Sequence, residues 1–157
     1  MHVIKLHVNG KAFDVRVDPD TPLIYVLRND LGLKGTRAGC LEGQCMSCTV
    51  LIDGRPQTAC TVPVGSVADR SVETVESLTG KHGSHPLINS VLKEQAGQCG
   101  YCLAGILMRA KALLAHEPAP SRGAIIAALD DHLCRCGAHV RILRAIERAA
   151  QVGSTRA

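Results

Sequence analysis

With 157 residues, 46 % of them hydrophobic and 20 % charged, the chain is long enough for one medium or two small globular domains with a buried core. It has no Trp, one Phe and two Tyr, too few stacking aromatics for a single-stranded nucleic-acid reader, and its net charge of +4 is spread along the chain. No nucleic-acid partner is expected, and no direct membrane insertion, because no apolar run approaches the roughly 18–20 residues that span a bilayer.

The chain from Met1 to Lys5 enters an alternating pattern without a basic and apolar leader, so a cytoplasmic location is expected, with co-export on a partner left open. Ile4, Leu6 and Val8 alternate with Lys5 and His7 and predict a strand with one buried face. Asn9-Gly10 is a hairpin turn, and Phe13, Val15 and Val17 form the return strand. Thr21 is the expected N-cap of a helix with Pro22 at its first position, burying Leu23, Ile24, Leu27 and Leu31 and ending at Gly32. Thr49–Ile52 followed by Asp53-Gly54 predicts a second hairpin, and 71–75 a last strand.

A linker is expected from Leu78 to His85, where Gly80, Gly83 and Ser84 gather. Beyond it the pattern turns helical. Pro86 opens a segment with Leu87, Val91 and Gln95 on one face. Leu103, Ile106, Leu107, Ala110, Leu113 and Leu114 fit an amphipathic helix, which Pro118 and Pro120 end. Ser121 caps a third helix burying Ile125, Ile126 and Leu129, and Val140, Leu143 and Ile146 mark a fourth. A frayed tail is expected from Gly153. There is no internal repeat. The expected fold is α+β, a small twisted sheet with one helix across it in residues 1–78, then an all-α four-helix bundle in residues 79–157.

The eight cysteines fall into two groups of different spacing. Cys40-x4-Cys45-x2-Cys48, with Cys60 further along, is the plant-type ferredoxin spacing for a [2Fe–2S] cluster. A tight loop brings three thiolates around one end of the cluster and a strand after a hairpin supplies the fourth. With four thiolates the oxidised cluster carries a charge of roughly −2, which backbone N–H groups of a glycine-rich loop can stabilise. Gly35, Gly39 and Gly43 allow that close wrapping. A structural zinc site or two disulfides are the alternatives, and zinc fits a three-cysteine loop poorly.

The second group, Cys99-x2-Cys102 and Cys134-x-Cys136, is more ambiguous by spacing alone, since Cys-x2-Cys also serves zinc and thioredoxin-like redox sites. A thioredoxin-like site needs a preceding βαβ pattern, which the sequence lacks. Cys99 and Cys102 precede the Leu103 helix, and Cys134 and Cys136 precede the Val140 helix, so two helix N-termini can face one anionic cluster.

These motifs resemble the small iron–sulfur subunit of the xanthine oxidase family of molybdenum hydroxylases, over nearly the whole chain. Gly39-Cys40 through Cys45-Met46-Ser47-Cys48-Thr49-Val50 resembles the family's plant-type ferredoxin-like (β-grasp) loop. Gln98-Cys99-Gly100-Tyr101-Cys102 and Leu133-Cys134-Arg135-Cys136-Gly137 resemble the two halves of its helical-domain motif. The resemblance implies two [2Fe–2S] clusters, one on Cys40, Cys45, Cys48 and Cys60 and one on Cys99, Cys102, Cys134 and Cys136. It implies a large partner subunit with a molybdenum–pterin cofactor, approached by Gln98, with the second cluster nearest the molybdenum. A flavin or cytochrome c subunit, or another external acceptor, would receive the electrons.

The separate small chain resembles the bacterial form, in which complexes that hydroxylate N-heteroaromatic rings such as isoquinoline or nicotinate are the nearest match. Aldehyde oxidation is the rival, and a freestanding two-cluster carrier or a zinc-stapled interaction module are further alternatives. No catalytic residue is expected on the chain. The family usually has Gly where this sequence has Leu41 and Met46. If those positions require φ > 0, each side chain costs about 1–2 kcal/mol.

The seven histidines, at positions 2, 7, 82, 85, 116, 132 and 139, are expected at the surface or beside the clusters and not as ligands. Arg135 sits between two cysteines, either as a cluster or partner contact or simply solvated. Arg141, Arg144 and Arg148 lie near one face of the last helix, either solvated or steering an acidic partner.

Overall fold

The computed structural model describes residues 2–80 and 83–154. Strands β1 (His2–Val8) and β2 (Lys11–Val17) pair antiparallel through a turn in which Asn9 and Gly10 both have positive φ, at 51° and 75°. That left-handed pair is what Asn-Gly supplies at little cost. Strands β3 (Thr49–Ile52) and β4 (Arg55–Thr58) repeat the device at Asp53-Gly54. β5 (Ser71–Glu73) joins the two hairpins, parallel to β1 and antiparallel to β3, giving a mixed sheet in the order β2-β1-β5-β3-β4. β5 is shorter than expected, because Val75–Leu78 is a 3-10 turn.

Helix α1 (Leu23–Tyr25) runs on as a π-helical turn over Val26–Asp30. The two turns bury Leu23, Ile24, Val26 and Leu27 together against Ile4, Leu6, Val50, Ile52 and Val72. Thr21 does not cap it. The first helical N–H groups are already taken, Leu23 N–H by the carbonyl of Val62 (2.8 Å) and Ile24 N–H by that of Ala59 (3.0 Å). The helix start thereby grips the segment that carries Cys60.

In the second half, α2 (Pro86–Lys93), α3 (Leu103–His116), α4 (Arg122–Leu129) and α5 (His139–Ser154) follow in turn. α2 packs against α5, α3 against α4, and α4 against α5. His85 caps α2 by accepting from Leu87 N–H (3.2 Å), and Ser121 caps α4 by accepting from Ala124 N–H (3.1 Å). Gln95 is not on the α2 face: with φ 48° it turns the chain after the helix. Ile126 and Val140 are exposed, and α5 turns Ile142, Ala145, Ile146 and Ala149 inward instead.

The linker is not featureless, since Thr79–Gly80 (β6) and Gly83–Ser84 (β7) form a two-stranded ribbon. The second half is therefore helical apart from this ribbon. Lys81 and His82 lie outside the described residues, as do Met1 and the last three residues of the expected tail. α5 itself continues through Gly153, where the tail was expected to begin.

Strand β3 joins the two halves. All four of its residues are buried, Val50 and Ile52 in the core under α1, while Leu51 enters the helical core with Ile106, Leu107 and Ile142. A strand covered on both faces reads as an unbroken apolar run. α3 lies on its outer side, so the helical half is docked on the sheet and the cysteine loops meet along that seam. Among the described residues no helix is long and apolar enough to cross a membrane.

Candidate metal centres

All eight cysteines are free thiols. The first three lie on the loop between α1 and β3, and Cys60 lies on the turn after β4, not on a strand as expected, because the pairing of β4 ends at Thr58. Three backbone N–H groups point at one sulfur: Glu42, Gln44 and Cys45 donate to Cys40 Sγ at 3.4, 3.4 and 3.3 Å. Cys40 N–H in turn donates to Cys45 Sγ at 3.3 Å. These donors, Glu42 foremost, pull the Cys40 thiol down to about 7. The loop is the N–H-lined concavity that an anionic sulfur cluster requires.

The loop's path depends on φ of 61° at Leu41 and 59° at Met46, the two positions where the resembled family usually has glycine. Both side chains accept the left-handed conformation in place of a changed path. Gly39 is held by space: a Cβ there would stand 2.5 Å from Cys45 Sγ.

Cys48 and Cys60 are buried, at 3 % and 7 % exposure, and interact directly. Ala59 N–H donates to the Cys48 carbonyl (3.2 Å), fixing the two segments together. Burial, reinforced by the Cys60 thiol, pushes Cys48 up to about 12. A thiol so placed becomes a ligand when a metal's charge replaces its proton.

The approach to the loop is anchored from two sides. Arg28 Nη1 donates to the carbonyls of Lys34 (2.9 Å) and Thr36 (2.8 Å), and Glu76 Oε1 accepts from Gly35 N–H (2.7 Å). Neither residue carries a motif, and only the folded geometry reveals them.

The second quartet is assembled from two turns. Cys99 and Cys102 flank Gly100-Tyr101, with Cys102 immediately before α3, and Cys134 and Cys136 lie in the turn before α5. Cys136 Sγ and Cys99 Sγ are 3.5 Å apart, and Cys102 interacts directly with Cys134. Cys99 is lowered by the Tyr101 N–H and by Cys136. Cys102 is pushed up to about 12, chiefly by burial and then by Cys134. Burial also raises Cys134, but the N–H of Ala138, the Cys102 thiol and the N–H groups of Cys136 and Gly137 together hold it below its ordinary value.

Each quartet thus resolves into two pairs, Cys40/Cys45 with Cys48/Cys60 and Cys99/Cys136 with Cys102/Cys134. Two thiolates for each of two irons is the donor set of a [2Fe–2S] cluster, and both quartets fit it.

Gln98 is exposed beside the second quartet, its Nε2 donating to the Cys136 carbonyl at 3.4 Å, in a cavity of about 200 Å³ shared with Arg141 and Arg144. Arg141 donates to the Gln95 carbonyl (3.4 Å) and Arg148 pairs with Glu94 (2.6 Å). Of the described histidines, His132 is the buried one, pushed down to about 4 by burial and by the Arg109 guanidinium. It is two residues before Cys134 in sequence, and its carbonyl accepts from His139 Nε2 at 3.1 Å.

Two family descriptions match in series: "2Fe-2S iron-sulfur cluster binding domain" over residues 6–75 and "[2Fe-2S] binding domain" over residues 74–147. Together they define an iron–sulfur protein with a ferredoxin-like domain followed by a helical one. A nicotinate dehydrogenase subunit of Pseudomonas putida is 49 % identical over 148 residues, covering 94 % of each chain. The alpha subunit of isoquinoline 1-oxidoreductase of Brevundimonas diminuta is 45 % identical over 150 residues, covering 95 % of this chain and 98 % of that one. Among solved structures, quinoline 2-oxidoreductase from Pseudomonas putida 86 superposes with a TM-score of 0.93 at 37 % identity, covering 98 % of this chain and 96 % of the matched chain. The chain belongs to the family of small iron–sulfur subunits of molybdenum hydroxylases, the electron-transfer subunits of oxidoreductase complexes.

Proposed function

We propose that this chain serves a complex that hydroxylates an N-heteroaromatic substrate, with Cys40, Cys45, Cys48 and Cys60 holding one [2Fe–2S] cluster and Cys99, Cys102, Cys134 and Cys136 the other. Bound there, the clusters supply one-electron relays to an external acceptor, flavin or cytochrome c, from a molybdenum–pterin cofactor on a large partner subunit. The observation that carries the ligand assignment is the pairing of sulfurs within each quartet, together with the three N–H groups on Cys40 Sγ. The chain's own residues bind and shield. Gln98 presents its amide beside Cys136 toward the cofactor-bearing subunit, and the exposed Cys40 side faces the acceptor. The two units divide at residues 1–78 and 79–157, and the four helices of the second act as a bundle around Ile106, Ile125 and Ile142.

The heteroaromatic substrate class is supported by relatives named for nicotinate, isoquinoline and quinoline. The test is to purify the complex through this chain, identify the co-purifying large subunit, and assay it with an artificial electron acceptor. Turnover of nicotinate, isoquinoline or quinoline is expected. Turnover of aldehydes with none of the ring substrates would assign the complex to aldehyde oxidation instead.

A further inference from the structure

The two cysteine loops touch each other directly at three places, each within three residues of a proposed ligand on both sides. Tyr101, between Cys99 and Cys102, donates its hydroxyl to the Ala38 carbonyl at 2.6 Å, two residues before Cys40. The Arg37 guanidinium lies 5.6 Å from the centre of the same ring. Leu133 N–H, one residue before Cys134, donates to the Cys45 carbonyl at 3.4 Å. Gly105, three residues after Cys102, lies against the backbone that follows Cys45. A Cβ at Gly105 would stand 2.1 Å from the Met46 carbonyl oxygen and 3.1 Å from the carbonyl carbons of Met46 and Ser47.

The last contact is rigid on both sides. Gly105 is in the first turn of α3, and the obstructing atoms are backbone, which cannot swing away as a flexible side chain does. Any side chain at 105 must therefore push the α3 start and the first loop apart. Leu51 docks the two halves through their cores, but it lies on β3, outside both loops. The local spacing of the loops is set where they meet.

We propose that Gly105 and Tyr101 are positioning residues that fix the separation of the two cysteine quartets, and hence the electronic coupling between the groups those quartets hold. The inference rests on the two-cluster reading above. Gly105 acts by permitting close approach, and Tyr101 by fastening the loop before Cys40 to the loop before α3. Transfer between redox centres depends steeply on their separation, so an opening of the seam lowers coupling without removing a ligand.

The test uses the intact complex carrying Gly105→Ala or Tyr101→Phe. Iron content and the EPR spectrum of each centre report ligation. The spin–spin splitting between the reduced centres, which falls with the inverse cube of their separation, reports spacing, and rapid-mixing kinetics report transfer between them. Gly105→Ala is expected to keep the iron and both sets of g values while weakening the splitting and slowing transfer severalfold. Tyr101→Phe, which removes only the hydroxyl, is expected to move both readouts the same way by less. Unchanged splitting and transfer rate in both variants would overturn the proposal. If Gly105→Ala does not assemble, Tyr101→Phe decides alone, and an unchanged splitting there overturns it. An unmodified complex without iron would instead overturn the two-cluster reading and this inference with it.

Discussion

Replacing Leu41 and Met46 separately by glycine should have opposite effects, although both residues hold φ near 60° in the same loop. A left-handed conformation costs a residue with a Cβ about 1–2 kcal/mol, and glycine removes that cost. Against the gain stands glycine's greater freedom in the unfolded chain, about 0.5–1 kcal/mol. Leu41 is 40 % exposed and belongs to neither core cluster nor to the cleft that Met46 lines, so its truncation gives up less packing than the strain it relieves. The balance for Leu41→Gly is a stabilisation of about 0.5–1 kcal/mol.

Met46 is partly buried and lines a cleft with Thr49, Arg109 and His132 at the seam between the halves. Truncating a buried Met costs about 2–5 kcal/mol, and a half-buried one about half as much, so Met46→Gly should destabilise by about 1 kcal/mol after the strain is relieved. The assay is chemical denaturation of the holoprotein followed by visible absorbance, comparing midpoints at equal slope. A Leu41→Gly protein less stable than the parent, or a Met46→Gly protein more stable, would refute this division of strain from packing.

Gly39→Ala should abolish the first centre's EPR signal and leave the second intact, because its Cβ would stand 2.5 Å from Cys45 Sγ. Glu76→Gln keeps the size of the side chain but removes the charge that strengthens its bonds to Gly35 N–H and the Thr74 hydroxyl. A loss of about 1–2 kcal/mol is expected by denaturation, with faster bleaching of the first centre. His85 caps α2 through an unprotonated Nδ1, and burial, with Lys111 nearby, lowers its pKa. Its contribution is therefore complete above the unfolded value near 6.5 and is lost as pH falls through the lower folded value. His85→Asn should retain the cap and remove that part of the acid sensitivity in a pH series of melting curves.

The local devices were legible in the sequence, because each depends on a few adjacent residues. Asn9-Gly10 and Asp53-Gly54 form the hairpins they predict, Ser121 caps α4, and the cysteine spacing places each group, Cys60 excepted, on the expected turns. What the sequence hid depends on distant partners. Thr21 has the residue type of a cap, but the carbonyls of Ala59 and Val62 reach the helix start first. Val140 fits the helical period, yet α5 is rotated so that Ile142 and Ala145 face the core. The widened turn at Val26–Asp30, which carries Val26 and Leu27 into the core beside Leu23 and Ile24, has no mark in the apolar spacing, since those four positions also fit one face of an ordinary helix. At the site, Arg28, Glu76 and Gly105 each act on backbone elsewhere in the chain, and no local pattern marks them. Leu41 and Met46 are a different case: the departure from glycine marked them, and the backbone angles identify its cost.

The most direct test of the account is a count of iron and acid-labile sulfide in the anaerobically purified protein, with low-temperature EPR after dithionite reduction. About four irons per chain and two distinguishable [2Fe–2S] signals are expected, one lost on substituting Cys48 by Ser and the other on substituting Cys102 by Ser. Zinc in place of iron, or iron with no signal that either substitution removes, would contradict the assignment of the two quartets.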